Sequence, residues 1–91
     1  MATKSVIQSE KRCFICGAVD GLEEHHCLFG NARKKCEADG LKVWLCWKCH
    51  RNLHEKGVGM LVLKMLAEAV WIVYHNSTVE GFIKRYGKNY L

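Results

Sequence analysis

The sequence predicts a small α+β domain in which two strands and a short helix are stapled by zinc and followed by two further helices. Three observations predict this fold class. The chain has 91 residues, and a single domain of this size has a limited core that commonly needs a metal or disulfide staple. Cysteine pairs at Cys-x2-Cys spacing, which is typical of structural zinc sites, occur twice. Apolar residues alternate ahead of the second pair, as in a strand, and recur at helical spacing after it.

The six cysteines could form disulfides or bind metal. Residues 1–12 are predicted to form a polar N-terminal arm, and they contain no apolar segment of the kind that directs secretion. We therefore expect a cytoplasmic protein, and in a reducing compartment paired cysteines favour zinc over disulfides. A structural Zn²⁺ is predicted, with four thiolate ligands: Cys13, Cys16, Cys46 and Cys49.

Residues 13–57 are predicted to form the zinc-stapled core. Their order is a strand over residues 22–29, a polar, basic loop over residues 31–40, a second strand over residues 41–45 and a helix over residues 47–56. Alternation places three apolar residues of the second strand on one side: Leu41, Val43 and Leu45. This order brings histidines on the first strand opposite histidines on the helix.

Residues 58–91 are predicted to be a helical extension of the same domain, packed on the core or on a dimer partner. Residues 60–75 form a long helix that is apolar almost all round. Its thin polar stripe consists of Lys64, Glu68 and His75. The run is shorter than the ~18 apolar residues of a membrane span and carries charges, so we expect no membrane association. A last helix begins in a capping box, with Ser77 as N-cap and Glu80 at the third helical position.

Four of the five histidines fall in two short segments of the core. His50 and His54 are four residues apart on the predicted helix, so they lie on one face. Imidazoles from His25, His50 and His54 would leave an open coordination position, which is typical of a catalytic metal. Three nitrogen ligands suit zinc, nickel, cobalt or manganese better than magnesium.

His26 is then free to act as a general base. An imidazole with a pKa of about 6.5 can take a proton from water near neutral pH, and a phosphodiester held between the metal and this base would be attacked by that water. Because His25 and His26 are adjacent, regular strand alternation would point them to opposite faces. Either the strand bends there or the scissile phosphate lies between the two faces, and the roles of the two histidines could be exchanged.

The motif Glu24-His25-His26, the glycine-bearing loop and residues 46–54 resemble the HNH endonuclease family. The resemblance is closest to its small phage- and prophage-encoded members, and it covers residues 13–56 with specific motifs and the C-terminus more loosely. It implies a ββα-metal core (HNH, or His-Me finger), a DNA substrate, and hydrolysis that leaves 5′-phosphate and 3′-hydroxyl ends. A bacterial or phage-infected host cell is the setting that the resemblance implies.

By position, the resemblance makes His25, His50 and His54 ligands of a catalytic divalent ion, which would be Zn²⁺, Ni²⁺, Mn²⁺ or Mg²⁺. It makes His26 the general base. The residues that it implies for catalysis are thus His26, His25 and His50.

One position departs from the family pattern. The asparagine that usually stands just ahead of the second strand is replaced by Leu41, and Asp39 is a candidate substitute. Since that asparagine usually orients the base, the departure bears on catalysis rather than on the fold.

The alternatives to an active nuclease are a non-catalytic zinc module that binds nucleic acid or protein, and an accessory nuclease subunit of a phage packaging or recombination machine. The metal count separates them: about two ions per chain for a nuclease and one for a plain zinc module.

The net charge of +5 fits a polyanionic partner such as DNA. Basic residues of the predicted loop and helix are the expected phosphate contacts: Arg33, Lys34, Lys35, Lys48 and Arg51. Such contacts hold the nucleic-acid backbone and carry no sequence information, so low sequence specificity is expected. The apolar helix over residues 60–74 would form the interface of a homodimer or with a phage protein.

Overall fold

Two antiparallel strands and four α-helices make up residues 4–91, the part of the chain that the computed structural model describes. In chain order the elements are β1 (Leu22–His26), α1 (Arg33–Asp39), β2 (Lys42–Cys46), α2 (Trp47–Lys56), α3 (Met60–Tyr74) and α4 (Val79–Tyr86). The predicted α+β class is confirmed at this level.

The two strands pair in a regular antiparallel register over their whole length. Cross-strand partners share a face, and successive residues alternate between faces. Glu23 and His25 therefore lie on one face of the sheet, and Glu24 and His26 lie on the other. The strand stays regular between the two histidines. Their side chains therefore point to opposite faces, and the alternative of a bend at this point is not observed.

Both strands differ slightly from the predicted bounds. β1 ends at His26 rather than at residue 29, because the chain turns away after the Cys27 N–H donates to the Leu41 carbonyl at 3.0 Å. β2 is shifted one residue towards the C-terminus. The three alternating apolar residues of this region are buried as predicted: Leu41, Val43 and Leu45.

The prediction of a loop over residues 31–40 is wrong. A turn of 3₁₀ helix (Gly30–Ala32) leads into α1, which ends at Gly40 with a φ of 70°. A side chain at Gly40 would collide with the Lys4 carbonyl, so only glycine fits the close approach of the N-terminal arm. Helix α1 places Cys36 in the core and exposes the basic residues of its first turn, Arg33, Lys34 and Lys35.

The N-terminal arm, of which residues 4–12 are described, runs along the edge of β2 that β1 leaves free. The Val6 N–H donates to the Gly40 carbonyl at 2.9 Å, and the Gln8 side-chain oxygen accepts from the Trp44 N–H at 2.8 Å. These contacts satisfy backbone groups that an edge strand otherwise exposes. The arm is thus part of the fold in its described portion.

Helices α3 and α4 pack on the core formed by the strands and α2. The buried residues that they contribute are Leu63, Ala67, Trp71 and Phe82. The Asp39 carboxylate at the end of α1 joins both helices, because it accepts from Trp71 Nε1 at 3.0 Å and from the Tyr86 hydroxyl at 2.6 Å. It also pairs with Arg85 Nε at 2.6 Å.

Two details of the predicted C-terminal helices are corrected. Glu68 does not belong to a solvent-facing stripe: it is fully buried, and its carboxylate accepts from the Tyr90 N–H at 2.6 Å. The last helix is capped by Thr78 rather than by Ser77, and the Thr78 hydroxyl accepts from the Gly81 N–H at 3.0 Å.

No single helix within residues 4–91 is long and apolar enough to cross a membrane. Helices α2 and α3 reach that length and composition only when taken together, and the chain bends by 103° between them.

Candidate metal centres and active site

Four cysteine thiols from two distant turns of the chain lie together. The sulfurs of Cys13, Cys16, Cys46 and Cys49 all lie within 4.8 Å of one another. Cys16 Sγ and Cys46 Sγ are 3.7 Å apart. A zinc ion about 2.3 Å from each of four tetrahedral sulfurs requires sulfurs about 3.8 Å apart. The cluster therefore has the donor set and the spacing of a structural metal such as zinc.

The thiol of Cys13 lies close to several backbone N–H groups. Burial raises the pKa of Cys13, but backbone N–H groups of Cys46, Cys16 and Ile15 outweigh it and lower the pKa to about 6. The thiolate is the form that binds metal. Backbone geometry thus favours the ligand form of this cysteine.

The other two cysteines are outside the cluster. Cys27 and Cys36 are buried, and burial raises the pKa of their thiols to about 12 and about 11. Both act as small apolar core residues, and Cys36 Sγ also donates to the Leu41 carbonyl at 2.9 Å.

Three imidazoles form a second cluster between β1 and α2. Nitrogens of His25, His50 and His54 lie within 4.8 Å of one another. The Nε2 atoms of His50 and His54 are 3.2 Å apart, close to the roughly 3.3 Å between two nitrogens that each lie about 2.0 Å from one tetrahedral zinc ion. The donor set and spacing fit one divalent ion.

His25 is the buried member of the histidine cluster, with 3% of its surface exposed. Burial, with smaller contributions from the neighbouring His50 and His54, lowers the pKa of His25 to about 4. Its imidazole is therefore neutral at physiological pH, which is the form that binds metal.

Glu23, which the motif did not single out, contacts the same cluster. Its Oε1 lies 3.0 Å from His50 Nδ1. An ionised carboxylate only accepts, so His50 donates from Nδ1 and keeps the lone pair on Nε2, the atom that faces His54. Carboxylates commonly hold metal-binding histidines in this way. The signal in the sequence was the i, i+2 spacing from His25, which places both on one face of β1.

His26 lies outside the three-histidine cluster and belongs to a charged network on the other side of the sheet. Its Nε2 is 2.8 Å from Glu37 Oε1 on α1. The ammonium of Lys42 lies 2.9 Å from Glu37 Oε2 and 3.2 Å from Glu24 Oε2. Neither Glu37 nor Lys42 was predicted, because α1 was predicted to be a loop.

An open cavity of about 470 Å³ joins the two groups. Its lining contains the metal-site histidines His25, His50 and His54 together with His26, Phe29 and Arg33. Although His25 and His26 project from opposite faces of β1, both border this space. A ligand in the cavity would contact the histidine cluster and His26 together.

Two of the predicted phosphate contacts border this region. Arg33 lines the histidine cavity, and Arg33 and Lys34 both line an adjacent open cavity beside His26 and Glu37. Both basic side chains are exposed. Of the five predicted cations, these two line the cavities that border His26.

The other three predicted phosphate contacts have partners elsewhere. Lys35 Nζ donates to the Arg85 carbonyl at 2.7 Å, on α4. Lys48 Nζ lies 5.6 Å from the centre of the Trp47 ring, and Arg51 pairs with the carboxylate one turn further along α2 at 3.1 Å. Their contact with a phosphate stays a prediction.

The structure does not support Asp39 as the substitute for the family asparagine. The Asp39 carboxylate is bound by Trp71, Arg85 and Tyr86 on the C-terminal helices. Leu41, at the asparagine position, is fully buried. The acidic side chain that reaches His26 is Glu37.

Comparisons with protein-family models, curated proteins and solved structures gave no match.

Proposed function

We propose that the protein is a metal-dependent endonuclease of the HNH type that hydrolyses DNA phosphodiesters with low sequence specificity. The observation that carries the proposal is the cavity in which three clustered imidazoles and a fourth, separate imidazole border one space. A structural metal site needs no open space and no additional base beside it. In the proposal, β1 and β2 are the strands and α2 is the helix of a ββα-metal core.

The distances support the proposed division of roles. His25, His50 and His54 hold the divalent ion, because their nitrogens converge. When bound there, such an ion supplies Lewis-acid stabilisation of negative charge on phosphate and leaving-group oxygens. His26 does not converge with them and is bonded to Glu37 through Nε2. This leaves its Nδ1 as the atom that accepts a proton.

In the proposed reaction, His26 Nδ1 takes a proton from a water molecule as its oxygen attacks the phosphorus. The new bond joins the water oxygen to phosphorus, and the bond from phosphorus to the 3′ oxygen breaks. The 3′ oxygen takes a proton from solvent water, which gives 5′-phosphate and 3′-hydroxyl ends. Arg33 and Lys34 would hold flanking phosphates, since both border the cavities next to His26.

A non-catalytic zinc module is the second candidate. The observation that favours it is Leu41, which is fully buried where the family has its asparagine and therefore offers no polar group to a substrate. The same chain could also work as an accessory nuclease subunit of a phage machine. Exposed apolar residues of α3, Leu61 and Val62, would then contact the partner or a second copy of the chain.

The test is nicking of supercoiled plasmid by metal-stripped protein, with zinc, nickel, manganese and magnesium added back in turn. We expect nicking that requires a divalent ion and falls by about 10²–10⁴-fold in His26→Ala, the usual contribution of a general base. His75→Ala is the matched control, because His75 is exposed just after α3 and lies outside both clusters.

Metal-independent nicking, or nicking that survives His26→Ala, would contradict the proposal. Retained DNA binding without nicking in any metal would favour the non-catalytic module.

A further inference from the structure

We infer that Glu37, held by Lys42, is the positioning residue for His26 and fixes its imidazole with the proton on Nε2 and the lone pair on Nδ1. The catalytic meaning of this contact rests on the proposed function, whereas the contact and the tautomer do not. Glu37 lies on α1, a helix that the sequence motif does not include.

The contact is short and held from two sides. His26 Nε2 and Glu37 Oε1 are 2.8 Å apart, and the His26 side chain is only 10% exposed. Lys42 Nζ lies 3.1 Å from Glu37 Oε1 and 2.9 Å from Glu37 Oε2. Because the side chain of Lys42 is 4% exposed, its ammonium is kept close to the two carboxylates that it pairs with.

The charge of the network determines which nitrogen of His26 carries the proton. A carboxylate paired with an ammonium stays ionised and accepts hydrogen bonds without donating any. The Nε2 atom of His26 must therefore donate to Glu37. In a neutral imidazole the other nitrogen, Nδ1, then holds the lone pair that a general base requires.

His26 contacts Glu37 and also borders the cavity, so the contact can affect chemistry in that space. Its ring is bonded to Glu37 at one nitrogen and also borders the space lined by the metal-site histidines. A base held in one tautomer and one orientation is always in the form that can accept the proton. Misplacing a reacting group lowers the reaction rate without weakening substrate binding. Glu37 would thus act through His26 and not on the substrate.

The direct test is NMR of the zinc-loaded full chain labelled with ¹⁵N, at about pH 8, where an ordinary imidazole with a pKa of about 6.5 is neutral. Two-bond ¹H–¹⁵N correlations identify the tautomer of His26. We expect the Nε2–H form in the wild type and a mixture with the Nδ1–H form in Glu37→Ala. Glu24→Ala is the matched control, because it removes the other carboxylate bound to Lys42 but none bound to His26, so the Nε2–H form should persist.

An Nδ1–H or doubly protonated His26 in the wild type, or an unchanged tautomer in Glu37→Ala, would overturn the inference. If Glu37→Ala does not fold, Glu37→Gln keeps the side-chain volume. The fraction of the Nε2–H form should still fall, because a neutral amide accepts more weakly than a carboxylate. An unchanged fraction in Glu37→Gln would also overturn the inference.

Kinetics separate this inference from the proposed function. In the nicking assay Glu37→Ala should lower kcat by roughly 10–100-fold, as loss of an orienting partner commonly does, and leave KM for DNA nearly unchanged. A raised KM that accounts for most of the fall in kcat/KM would mean that Glu37 contributes to DNA binding, and it would overturn the positioning role. If the wild type does not nick DNA but the tautomer responds to Glu37→Ala, the proposed function fails and the contact stands.

Discussion

His50 uses its two ring nitrogens for different purposes. Nδ1 donates to the Glu23 carboxylate at 3.0 Å, and Nε2 faces His54 at 3.2 Å. The first contact leaves the lone pair on the second nitrogen, which is the form in which an imidazole can bind a metal. Glu23 is more than half exposed, so its contribution is to orientation and ligand basicity rather than to the stability of the fold.

We predict that Glu23→Ala weakens metal binding at the histidine cluster by about 10–100-fold, the usual cost of removing such a partner. Titration of the metal-stripped protein with Co²⁺, followed by its absorption spectrum, measures the two centres separately because thiolate and imidazole ligands give different bands. Thermal stability of the metal-loaded protein should change little.

The matched control is Glu55→Ala. It removes an exposed carboxylate from α2, the helix that carries His50, and Glu55 pairs with Arg51 rather than with a histidine. An equal loss of Co²⁺ affinity in both variants would show that Glu23 acts only through general charge.

Helix α1 connects the site to the C-terminal helices. Glu37 on this helix reaches His26, and Asp39 at its end accepts from Trp71, Arg85 and Tyr86. Two of these donors, the Trp71 and Tyr86 side chains, are largely removed from water and would be left without a partner if the carboxylate were absent. Asp39 therefore holds three helices in one arrangement.

We predict that Asp39→Ala lowers the free energy of unfolding by about 2–3 kcal/mol. The substitution removes hydrogen bonds to a charged acceptor and leaves partly buried donors without a partner. Burial raises the pKa of Asp39, but the hydrogen bonds from Arg85 and Tyr86 outweigh it, so the pKa lies below its ordinary value of 3.8. The contribution is thus complete above that value and is lost only as the pH falls through the lowered pKa. Urea unfolding at neutral pH measures all of it.

Asp20→Ala is the control for Asp39→Ala, since Asp20 is an exposed aspartate between the first cysteine knuckle and β1. A similar loss of stability in both variants would contradict the role assigned to Asp39.

The sequence shows why α1 was missed and α2 was not. Residues 47–56 combine a helical histidine spacing with a glycine stop, whereas α1 spans seven residues and presents one buried side chain, Cys36. Two turns are too short for a periodic apolar pattern, and Ala32 offers no capping side chain. The usable signals were weak: helix-forming residues in a row and the positive φ that Gly40 permits.

The two metal clusters were predictable because each is encoded by short spacings on a few elements. Cys-x2-Cys and His-x3-His patterns place ligands on one side of a turn or helix with no knowledge of the remaining fold. The partners of those ligands were not predictable in the same way. Glu37 reaches His26 and Lys42 only after α1 packs beside the sheet, so the roles of Glu37 and Lys42 depend on tertiary structure.

The cysteine cluster joins the two ends of the region that contains the sheet. Cys13 and Cys46 are both buried in the core, and the segment between them contains β1, α1 and β2. A metal bound by all four thiols closes this segment into a loop and replaces core that a chain of this size lacks.

We predict that Cys16→Ser lowers the metal content by about one ion per chain and lowers Tm by ~20 °C or more. Binding of a structural zinc contributes several kcal/mol, and roughly 1 kcal/mol shifts Tm by about 4–8 °C in a domain of this size. Metal analysis after gel filtration and thermal melts followed by circular dichroism measure both effects.

Cys36→Ala is the control for the metal count, because Cys36 is buried outside the cluster and its loss should leave about two ions bound. Unchanged metal content in Cys16→Ser would contradict the four-thiolate site.

Helix α2 carries candidate ligands for both centres, with Cys49 and His50 adjacent in the chain. An ion that orders this helix at one centre reduces the conformational entropy lost when an ion binds at the other. The two centres are therefore expected to bind with positive cooperativity, and linkage requires the effect to be equal in both directions. A chelator that removes the ion from the thiols would also weaken the histidine centre, and the order in which ions are restored would change the affinity observed at each.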